Sequence, residues 1–408
     1  MNLRRFFFIG ALILILGWAG YFIGGDALGH SAVNHFGKAV DRLGGCKVPD
    51  QAQFVTLRLR EFLSLISIVW LTGLIAVGVL KLQVHRNRYL SVFCNAILLF
   101  LVLNLSVFAA GKTALFWLIL RGTTVDNQAQ FHTKEVLLRE IKIHPRIALV
   151  GSSQATTQIK QEQFNEYARG RAWLMEFHFP GCRSADVFLL SNRFSATQVN
   201  EFVYYVSPSY FYIPESDSAI ARDLLRLRDL PITLAMNAWQ HFPSQTRPYA
   251  ALGMAIPLFQ YRSALQHAIF GSPDLAVSIV PPPSFKPIVN DHLSAKGLST
   301  SGPEVAYQKA AFHHFLEHTA AKGQHVIVIG GQLNPAAEAV FAPDIRPDYE
   351  QFLKECARSY PNMTLVWQNE LLVEPPEAYD DDAHVSEKTA EVFTAAFGKW
   401  YFHHNEKN

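Results

Sequence analysis

The segment Ile147–Gln154, IALVGSSQ, decides the fold class of this chain. Its first four residues form an uncharged run that is typical of a buried strand in a parallel sheet. Gly151 and the two serines after it indicate a turn, and we expect a helix to begin there. In open α/β sheets, ligands bind outside the carboxyl ends of the strands. Ser152 and Ser153 are therefore predicted to lie where such a sheet binds ligands.

From about Lys134 onward, short β-rich runs alternate with amphipathic stretches. This alternation predicts a three-layer α/β/α sandwich with a mostly parallel five-stranded sheet over residues 134–408. The predicted strands are Ile147–Val150, Ala172–Glu176, Tyr210–Ile213, Val326–Ile329 and Thr364–Trp367. The predicted helices are Thr156–Ala168, Gln198–Val206, Val305–Ala321, Tyr349–Ser359 and Ser386–Trp400. The proline-rich region near 230–301 interrupts the pattern, and we interpret it as an insertion, either a lid or a surface elaboration.

Three long apolar segments precede this domain within residues 1–120. They lie near residues 6–25, 62–80 and 89–111. None carries a charged side chain, and each is close to the length of about 20 residues that a helix needs to cross a bilayer. We predict three transmembrane helices, the first of them uncleaved because no small-residue cleavage site follows it. Arg4, Arg5 and the basic connector Lys81–Arg88 are expected on the cytoplasmic side, which places the later domain outside.

Composition argues against several functional classes. The formal net charge of +2 comes without a basic cluster interleaved with aromatic residues, so we expect no nucleic-acid binding. The cysteines at positions 46, 94, 182 and 356 have no metal-ligand spacing and indicate no disulfide framework. His313–His314 and His403–His404 lack partners at the spacing of zinc ligands. Gly330–Asn334 matches no phosphate-binding fingerprint and is interpreted as a loop beside the site, so neither a metal nor a cofactor is predicted.

A second motif, Asp381–His384, DDAH, lies near the far end of the chain. A serine hydroxyl is a weak nucleophile, and a histidine held by a carboxylate is the usual base that activates it. We therefore predict that His384 meets Ser152 or Ser153 and that Asp381 orients the imidazole, with Asp382 and then Asp380 as the alternative carboxylates. The competing interpretation is that the serines only cap a helix and that the aspartates form a solvated acidic run.

The two motifs resemble those of the SGNH, or GDSL-type, hydrolase superfamily over residues 147–397. In that superfamily a serine follows the first strand of a flavodoxin-like sandwich, and a late D-x-x-H motif completes a catalytic triad. The register implies Ser153 as the nucleophile, His384 as the base and Asp381 as the orienting acid. It also implies an oxyanion hole made by the N–H groups of Ser153 and Gly181. The block that normally reads G-x-N-D reads PESD at 214–217, so that either Ser216 replaces the asparagine as donor or the two N–H groups act without it.

Within the superfamily, the membrane anchor, the G-S-S motif and the missing asparagine resemble proteins that modify cell-envelope polymers. Examples are the lipoteichoic-acid D-alanyl transfer protein and the alginate O-acetylation proteins. This implies a membrane-anchored O-acyltransferase, with acetyl as the expected group, acting on a cell-envelope or exported polysaccharide. The implied partners are a membrane-bound O-acyltransferase, the polysaccharide acceptor and the lipid bilayer. The implied location is the bacterial inner membrane, with the catalytic domain on the periplasmic or extracellular side. A periplasmic carbohydrate esterase and an inactive scaffold of a polysaccharide-modifying complex are the alternatives.

Overall fold

The computed structural model describes residues 8–22, 51–83, 88–113, 131–132, 134–135, 138, 141–178, 181–195, 198–212, 224–242, 244, 247–261, 265, 298–341 and 345–405. The chain forms two compact units, the first made of residues 1–137 and 252–273 and the second of residues 138–251 and 274–408. The predicted insertion near 230–301 is therefore divided between the two units.

Helices are the main secondary structure of both units. In chain order they are α1 Phe8–Phe22, α2 Gln51–Gln83, α3 Arg88–Ala110, α4 Ser153–Gln158, α5 Gln161–Ala168, α6 Ser184–Leu189, α7 Ser191–Ser195, α8 Ser209–Tyr212, α9 Leu230–Ala235, α10 Ala238–His241, α11 Arg247–Ala255, α12 Pro257–Gln260, α13 Pro303–Ala320, α14 Pro335–Phe341, α15 Ile345–Ser359, α16 Gln368–Leu371 and α17 Glu387–Asn405. Short 3₁₀ turns cover Leu227–Asp229 and Pro376–Ala378.

The apolar helices of the first unit match two of the predicted membrane spans. Leu59–Ala76 in α2 and Val92–Ala110 in α3 are long and apolar enough to cross a membrane. The described part of α1 is shorter, so a third span stays a prediction. Large apolar side chains on these helices remain exposed, among them Leu71 at 60% and Phe93 at 62%. Such a surface is compatible with contact with a membrane or with another protein.

A five-stranded parallel sheet forms the centre of the second unit. Its strands are β1 Arg146–Gly151, β2 Trp173–His178, β3 Glu201–Val206, β4 His325–Gly330 and β5 Met363–Trp367. They lie in the order β2-β1-β3-β4-β5, and every neighbouring pair is parallel. The predicted α/β class and parallel five-stranded sheet are confirmed. In a doubly wound sheet of this order the switch point, where ligands bind, lies between β1 and β3.

Alternate residues of each strand enter a hydrophobic core on opposite faces of the sheet, because successive side chains of a strand point to opposite sides. Ile147 and Leu149 of β1 and Ile327 and Ile329 of β4 belong to one core. Helices α4, α5 and α17 cover that face, where the ring of Phe164 contacts three aromatic rings of α17.

The opposite face is covered by aromatic side chains. Phe202 and Tyr204 of β3 contact Phe315 and Phe312 of α13, with ring centroids 5.2 and 5.5 Å apart. These tilted and edge-to-face contacts are the arrangements that aromatic pairs prefer. With helices on both faces, the central strands β1, β3 and β4 are buried on both sides, which explains why they are mostly apolar.

The third predicted strand is wrong. Tyr210–Ile213 was predicted as a strand and Gln198–Val206 as a helix, whereas the structure has strand β3 at Glu201–Val206 and helix α8 at Ser209–Tyr212. Every residue of β3 is buried, and such a short run gives no periodicity that separates strand from helix. The turn at Ser207 and Pro208 then starts α8, in which the Tyr210 N–H donates to the Ser207 carbonyl and the next two N–H groups donate to the Pro208 carbonyl.

The predicted helix Thr156–Ala168 is broken into α4 and α5. At the break Ile159 is extended, and the Lys160 N–H donates to the hydroxyl of Thr394 on α17 at 2.9 Å. A tertiary hydrogen bond therefore replaces a helical one, which the local sequence does not indicate.

Replacing Gly151 with Ala is expected to destabilise the second unit. Gly151 has φ +148°, and an added Cβ would lie 2.8 Å from the Tyr210 hydroxyl and 2.9 Å from the Tyr205 carbonyl. Backbone strain and the steric overlap of the new Cβ together predict a loss of about 3 kcal/mol or more in unfolding free energy. Denaturant unfolding of the full chain measures this loss. Gly170→Ala is the control, because Gly170 has φ +81° but open space around its Cβ. We expect a loss of about 1–2 kcal/mol there, and equal losses in the two variants would contradict the overlap.

Candidate active site

The candidate site lies at the carboxyl end of β1, beside the point where the strand order reverses. Ser152 follows the strand in an extended conformation and caps α4, since its hydroxyl accepts a hydrogen bond from the Gln154 N–H at 3.3 Å. The Ser152 N–H donates to the hydroxyl of buried Tyr210. Ser152 is 8% exposed, and its N–H group and hydroxyl both stabilise the turn. The capping role that either serine was expected to fill belongs to Ser152.

Ser153, the first residue of α4, points to the late motif. Its Oγ lies 2.7 Å from His384 Nε2, and His384 Nδ1 lies 2.7 Å from Asp381 Oδ2. Both distances are those of good hydrogen bonds. The structure thus brings together Ser153, His384 and Asp381, although the first two are 231 positions apart in the chain. With the proton on Nδ1 held by the carboxylate, Nε2 is positioned to accept the serine proton.

The loop that carries His384 is a narrow turn closed by backbone hydrogen bonds. Tyr379 and Val385 form an antiparallel bridge, and the Asp380 N–H donates to the His384 carbonyl at 2.8 Å. Asp381 Oδ1 accepts the N–H groups of Ala383 and His384 at 2.8 and 2.7 Å. One carboxyl oxygen therefore shapes the turn while the other holds the imidazole. Of the three consecutive aspartates, Asp381 is the one that bonds to the ring.

The pKa values of the pair shift in opposite directions. Burial by itself lowers the pKa of His384, but the hydrogen bond to Asp381 and the negative charges of Asp380–Asp382 outweigh it, so the pKa lies above its ordinary value. Burial by itself raises the pKa of Asp381, but bonds from the imidazole and two N–H groups bring it below its ordinary value. The geometry stabilises an imidazolium beside a carboxylate, which is the state that forms when histidine takes a proton from serine.

Gln154 joins three parts of the site and was not predicted from sequence. Its Oε1 accepts a hydrogen bond from the Ser207 hydroxyl at the end of β3 at 2.6 Å, and its Nε2 donates to the Ala383 carbonyl at 3.4 Å. Gln154 is 4% exposed and Ser207 is fully buried. The serine turn, the end of β3 and the histidine loop are held together by one uncharged amide. Its position next to Ser153 was the only available signal.

Asn334, at the end of the Gly330–Asn334 segment, supports the same loop from the β4 side. Its N–H donates to the Asp382 carbonyl at 2.9 Å, and its Nδ2 donates to the Asp381 carbonyl at 3.2 Å. The segment does lie beside the site, which agrees with its interpretation as an adjacent loop. The signal in the sequence that points to Asn334 is a polar side chain just after the carboxyl end of a strand.

Below the loop lies a buried network of amide, phenol and carboxyl groups. Gln368 accepts from the Tyr205 hydroxyl at 2.6 Å and donates to Glu374 at 2.5 Å and to Tyr379 at 2.9 Å. Gln158 of α4 also donates to Glu374. Burial raises the pKa of Glu374, and these hydrogen bonds offset only part of that rise. The network fixes Tyr379, where the histidine loop begins, to the sheet and to α4, and nothing in the sequence pattern indicated it.

Of the predicted oxyanion donors, the structure describes Ser153 and Gly181. The Ser153 N–H belongs to the first turn of α4, where N–H groups have no intrahelical acceptor. Gly181 is exposed, has φ +74° and follows the end of β2, where His178 is the register partner of Gly151. Both therefore lie at the carboxyl edge of the sheet. Ser216 lies outside the described residues. Because β3 ends at Val206, the polar residues directly after the third strand are Ser207 and Ser209 rather than the PESD segment.

His313, one of the histidines considered as a zinc ligand, has a local partner. His313 Nδ1 lies 3.1 Å from the Tyr360 hydroxyl, and burial lowers the pKa of His313. Among the described ranges of the chain, no three His, Cys, Asp or Glu side chains form a group that could hold a metal ion.

Comparison with protein-family models finds no match for this chain, and comparison with curated proteins finds none either. The resemblance of the two motifs to the SGNH superfamily therefore stays a prediction. Fold and site together define a class of protein: a parallel α/β domain with a serine–histidine–aspartate hydrogen-bonded chain at its switch point.

The pKa shifts predict how stability depends on pH. The raised pKa of His384 adds stability that is complete below its unfolded pKa of about 6.5 and is lost as pH rises through the folded pKa. The lowered pKa of Asp381 adds stability that is complete above about 3.9 and is lost as pH falls through the folded pKa. The unfolding free energy of the wild type should therefore exceed that of the Asp381→Asn variant. The difference should be largest between about pH 4 and 6.5 and smaller at pH 8. Denaturant unfolding at each pH measures this, and a difference that grows above pH 7 would contradict it.

Proposed function

We propose that this protein is a membrane-anchored serine acyltransferase of the SGNH type that moves an acyl group, with acetyl as the expected group, onto a hydroxyl of a cell-envelope or exported polysaccharide. The observation that carries the proposal is the hydrogen-bonded chain Ser153–His384–Asp381 at the carboxyl edge of the sheet. The exposed fractions of the His384 and Asp381 side chains are 33% and 38%, so a substrate can reach the imidazole from solvent.

The reaction follows from the positions of the three side chains. Ser153 Oγ attacks the carbonyl carbon of the donor ester while His384 Nε2 takes the serine proton and Asp381 holds the imidazolium. The N–H groups of Ser153 and Gly181 are the proposed donors to the oxyanion that forms. Collapse of the tetrahedral intermediate expels the donor oxygen, which receives the proton from His384, and leaves an acyl-serine. A sugar hydroxyl then attacks, with His384 again as base, and serine is released.

The apolar helices support placing this chemistry beside a membrane. Leu59–Ala76 and Val92–Ala110 are compatible with anchoring, and the motif resemblance implies a membrane-bound O-acyltransferase as the supplier of acyl groups. Anchoring raises the local concentration of the domain around a donor and a nascent polymer at the same surface. We propose the bacterial inner membrane as the location, with the second unit on the periplasmic or extracellular side.

A carbohydrate esterase is the second candidate function. The same exposure of His384 and Asp381 that admits a substrate also admits water as the acceptor for the acyl-serine. The two functions share the first half of the reaction and differ only in what attacks the acyl-enzyme.

Labelling with a fluorophosphonate tests the proposed nucleophile. The reagent phosphonylates an activated serine with loss of fluoride, so the wild-type chain should be labelled. Ser153→Ala and His384→Ala should lower the labelling rate by about 10³-fold or more, because they remove the nucleophile and its base. Ser152→Ala should retain label and lose only about 1 kcal/mol of helix capping, measured by gel fluorescence and unfolding of the same samples.

Other labelling results would change or end the proposal. Label that survives in Ser153→Ala and disappears in Ser152→Ala would move the nucleophile by one position. A wild-type chain that takes no label would remove the enzyme proposal. Cells in which Ser153→Ala supports undiminished polymer acylation would indicate the scaffold alternative instead.

Product analysis separates transfer from hydrolysis. With an acetylated donor ester, the wild-type chain should release acetate slowly, and adding an oligosaccharide acceptor should divert most of the acetyl group to sugar hydroxyls. Mass spectrometry of the oligosaccharide measures the transfer, and Ser153→Ala is the matched control for uncatalysed exchange. Acetate release that is unchanged by any acceptor would favour the esterase.

A further inference from the structure

Helices α11 and α12 are separated by a break that lies within the uncharged run Ala250–Phe259, and the run from Leu252 onward belongs to the first unit. Helix α11 ends at Ala255, Ile256 is extended with φ −123° and ψ 102°, and α12 begins at Pro257. Apolar runs of about 10–14 residues are too short to cross a bilayer and are typical of buried core helices or of re-entrant and interfacial segments. The surroundings of this segment decide between these interpretations.

The break in the helix is joined to α3 by a side chain within the candidate span. The Leu258 N–H donates to Asn104 Oδ1 at 3.1 Å, and Asn104 is 8% exposed. Asn104 lies inside the apolar window 92–110, about 9 Å before α3 ends at Ala110, because a helix rises about 1.5 Å per residue. If α3 crosses a bilayer, the break between α11 and α12 lies at the depth of the hydrocarbon.

Every backbone N–H group from Ile256 to Tyr261 has an acceptor within the protein. Pro257 has no N–H, and Leu258 uses Asn104. The remaining pairs are Ile256 N–H to Leu252 O, Phe259 N–H to Ile256 O, Gln260 N–H to Ile256 O and Tyr261 N–H to Pro257 O, at 2.8 to 2.9 Å. A broken helix in hydrocarbon needs this complete pairing, because no water is present to satisfy a free donor. In contact with water, a free N–H group could donate to solvent instead, so complete pairing within the protein would not be required.

The packing of the segment against α3 leaves an apolar surface facing outward. Tyr261 is 1% exposed and lies against Gly111, where an added Cβ would approach the ring to 2.7 Å. Leu252 is 43% exposed, and on α3 Leu101 and Leu105 are 49% and 50% exposed. The large exposed side chains of the segment and of this part of α3 are therefore uncharged, as expected for side chains in contact with lipid.

We propose that the segment Ala250–Tyr261 enters the outer part of the same bilayer that α3 crosses, as a re-entrant broken helix whose outward side chains contact phospholipid acyl chains. This inference rests on the membrane anchoring in the proposed function. It gives part of the insertion a role that is neither a lid nor a surface elaboration, because it forms a second attachment of the chain to the membrane.

Spin labels at single cysteines test the proposal in the full chain, reconstituted in phosphatidylethanolamine–phosphatidylglycerol vesicles. Cys46 and Cys94 are replaced by Ala. Cys182 and Cys356 are kept, because burial raises the pKa of both thiols, that of Cys356 to about 12, and makes them slow to react. Labels are placed at Leu252→Cys, at Leu101→Cys on α3 and at Val392→Cys, which is 50% exposed on the second unit. The measurement compares how often each spin label collides with oxygen, which is concentrated in lipid, and with a nickel complex, which is soluble in water.

We expect the labels at positions 252 and 101 to collide with oxygen and to be protected from nickel several-fold relative to position 392. A label at 252 that is as accessible to nickel as the label at 392, while 101 is protected, would overturn the insertion alone. Nickel access at both 252 and 101 would overturn the anchoring as well. Protection of 252 from both reagents would mean that protein covers the segment, which also overturns contact with lipid.

Asn104→Leu tests the hydrogen bond that holds the break at this depth. Without the acceptor, the Leu258 N–H would be unpaired in hydrocarbon, so the segment should move outward and nickel access at position 252 should rise several-fold. Ser106→Ala is the matched control, because it removes only a hydroxyl bond to Val102 within α3. The label at 101 reports in each variant that α3 still lies in lipid. An unchanged reading at 252 in Asn104→Leu would contradict the role of this hydrogen bond.

Discussion

The carboxylate of Asp381 is the group on which the candidate site depends. One oxygen accepts two backbone N–H groups and so shapes the turn, and the other accepts the imidazole of the residue that ends the turn. The same carboxylate therefore both folds the loop and orients the base. Because the histidine lies within the loop that its own partner shapes, the ring has its correct position as soon as the loop closes.

Three buried amide side chains fix that loop to its surroundings. Gln154, Gln368 and Asn334 connect it to α4, to β3 and to the segment after β4 through amides rather than ion pairs. Buried amides avoid the desolvation cost of buried charges and specify geometry through their fixed donors and acceptors. The supporting shell therefore adds little to the local field, and the charge balance at the imidazole is set mainly by the aspartates of the loop itself.

The parts that were predictable from the sequence are those with short-range signals. The first strand and its serine turn have turn chemistry, and the D-x-x-H spacing indicates a carboxylate beside a histidine. Strand β3 was missed because a fully buried central strand has no alternation to read. Gln158 and Glu374 were missed because they are 216 positions apart and meet only through the fold. Gln154 and Asn334 stood next to recognised motifs, but their role depends on partners that no local pattern identifies.

The separation of 231 residues between Ser153 and His384 has a consequence for how the protein is made. Every sheet pairing of the second unit is parallel and non-local, and such topologies fold slowly because long loops must close before contacts form. The serine leaves the ribosome long before its base. A nascent chain therefore holds an unactivated hydroxyl throughout most of translation, and it gains its base only after the loop that carries His384 has been made and has folded against α4.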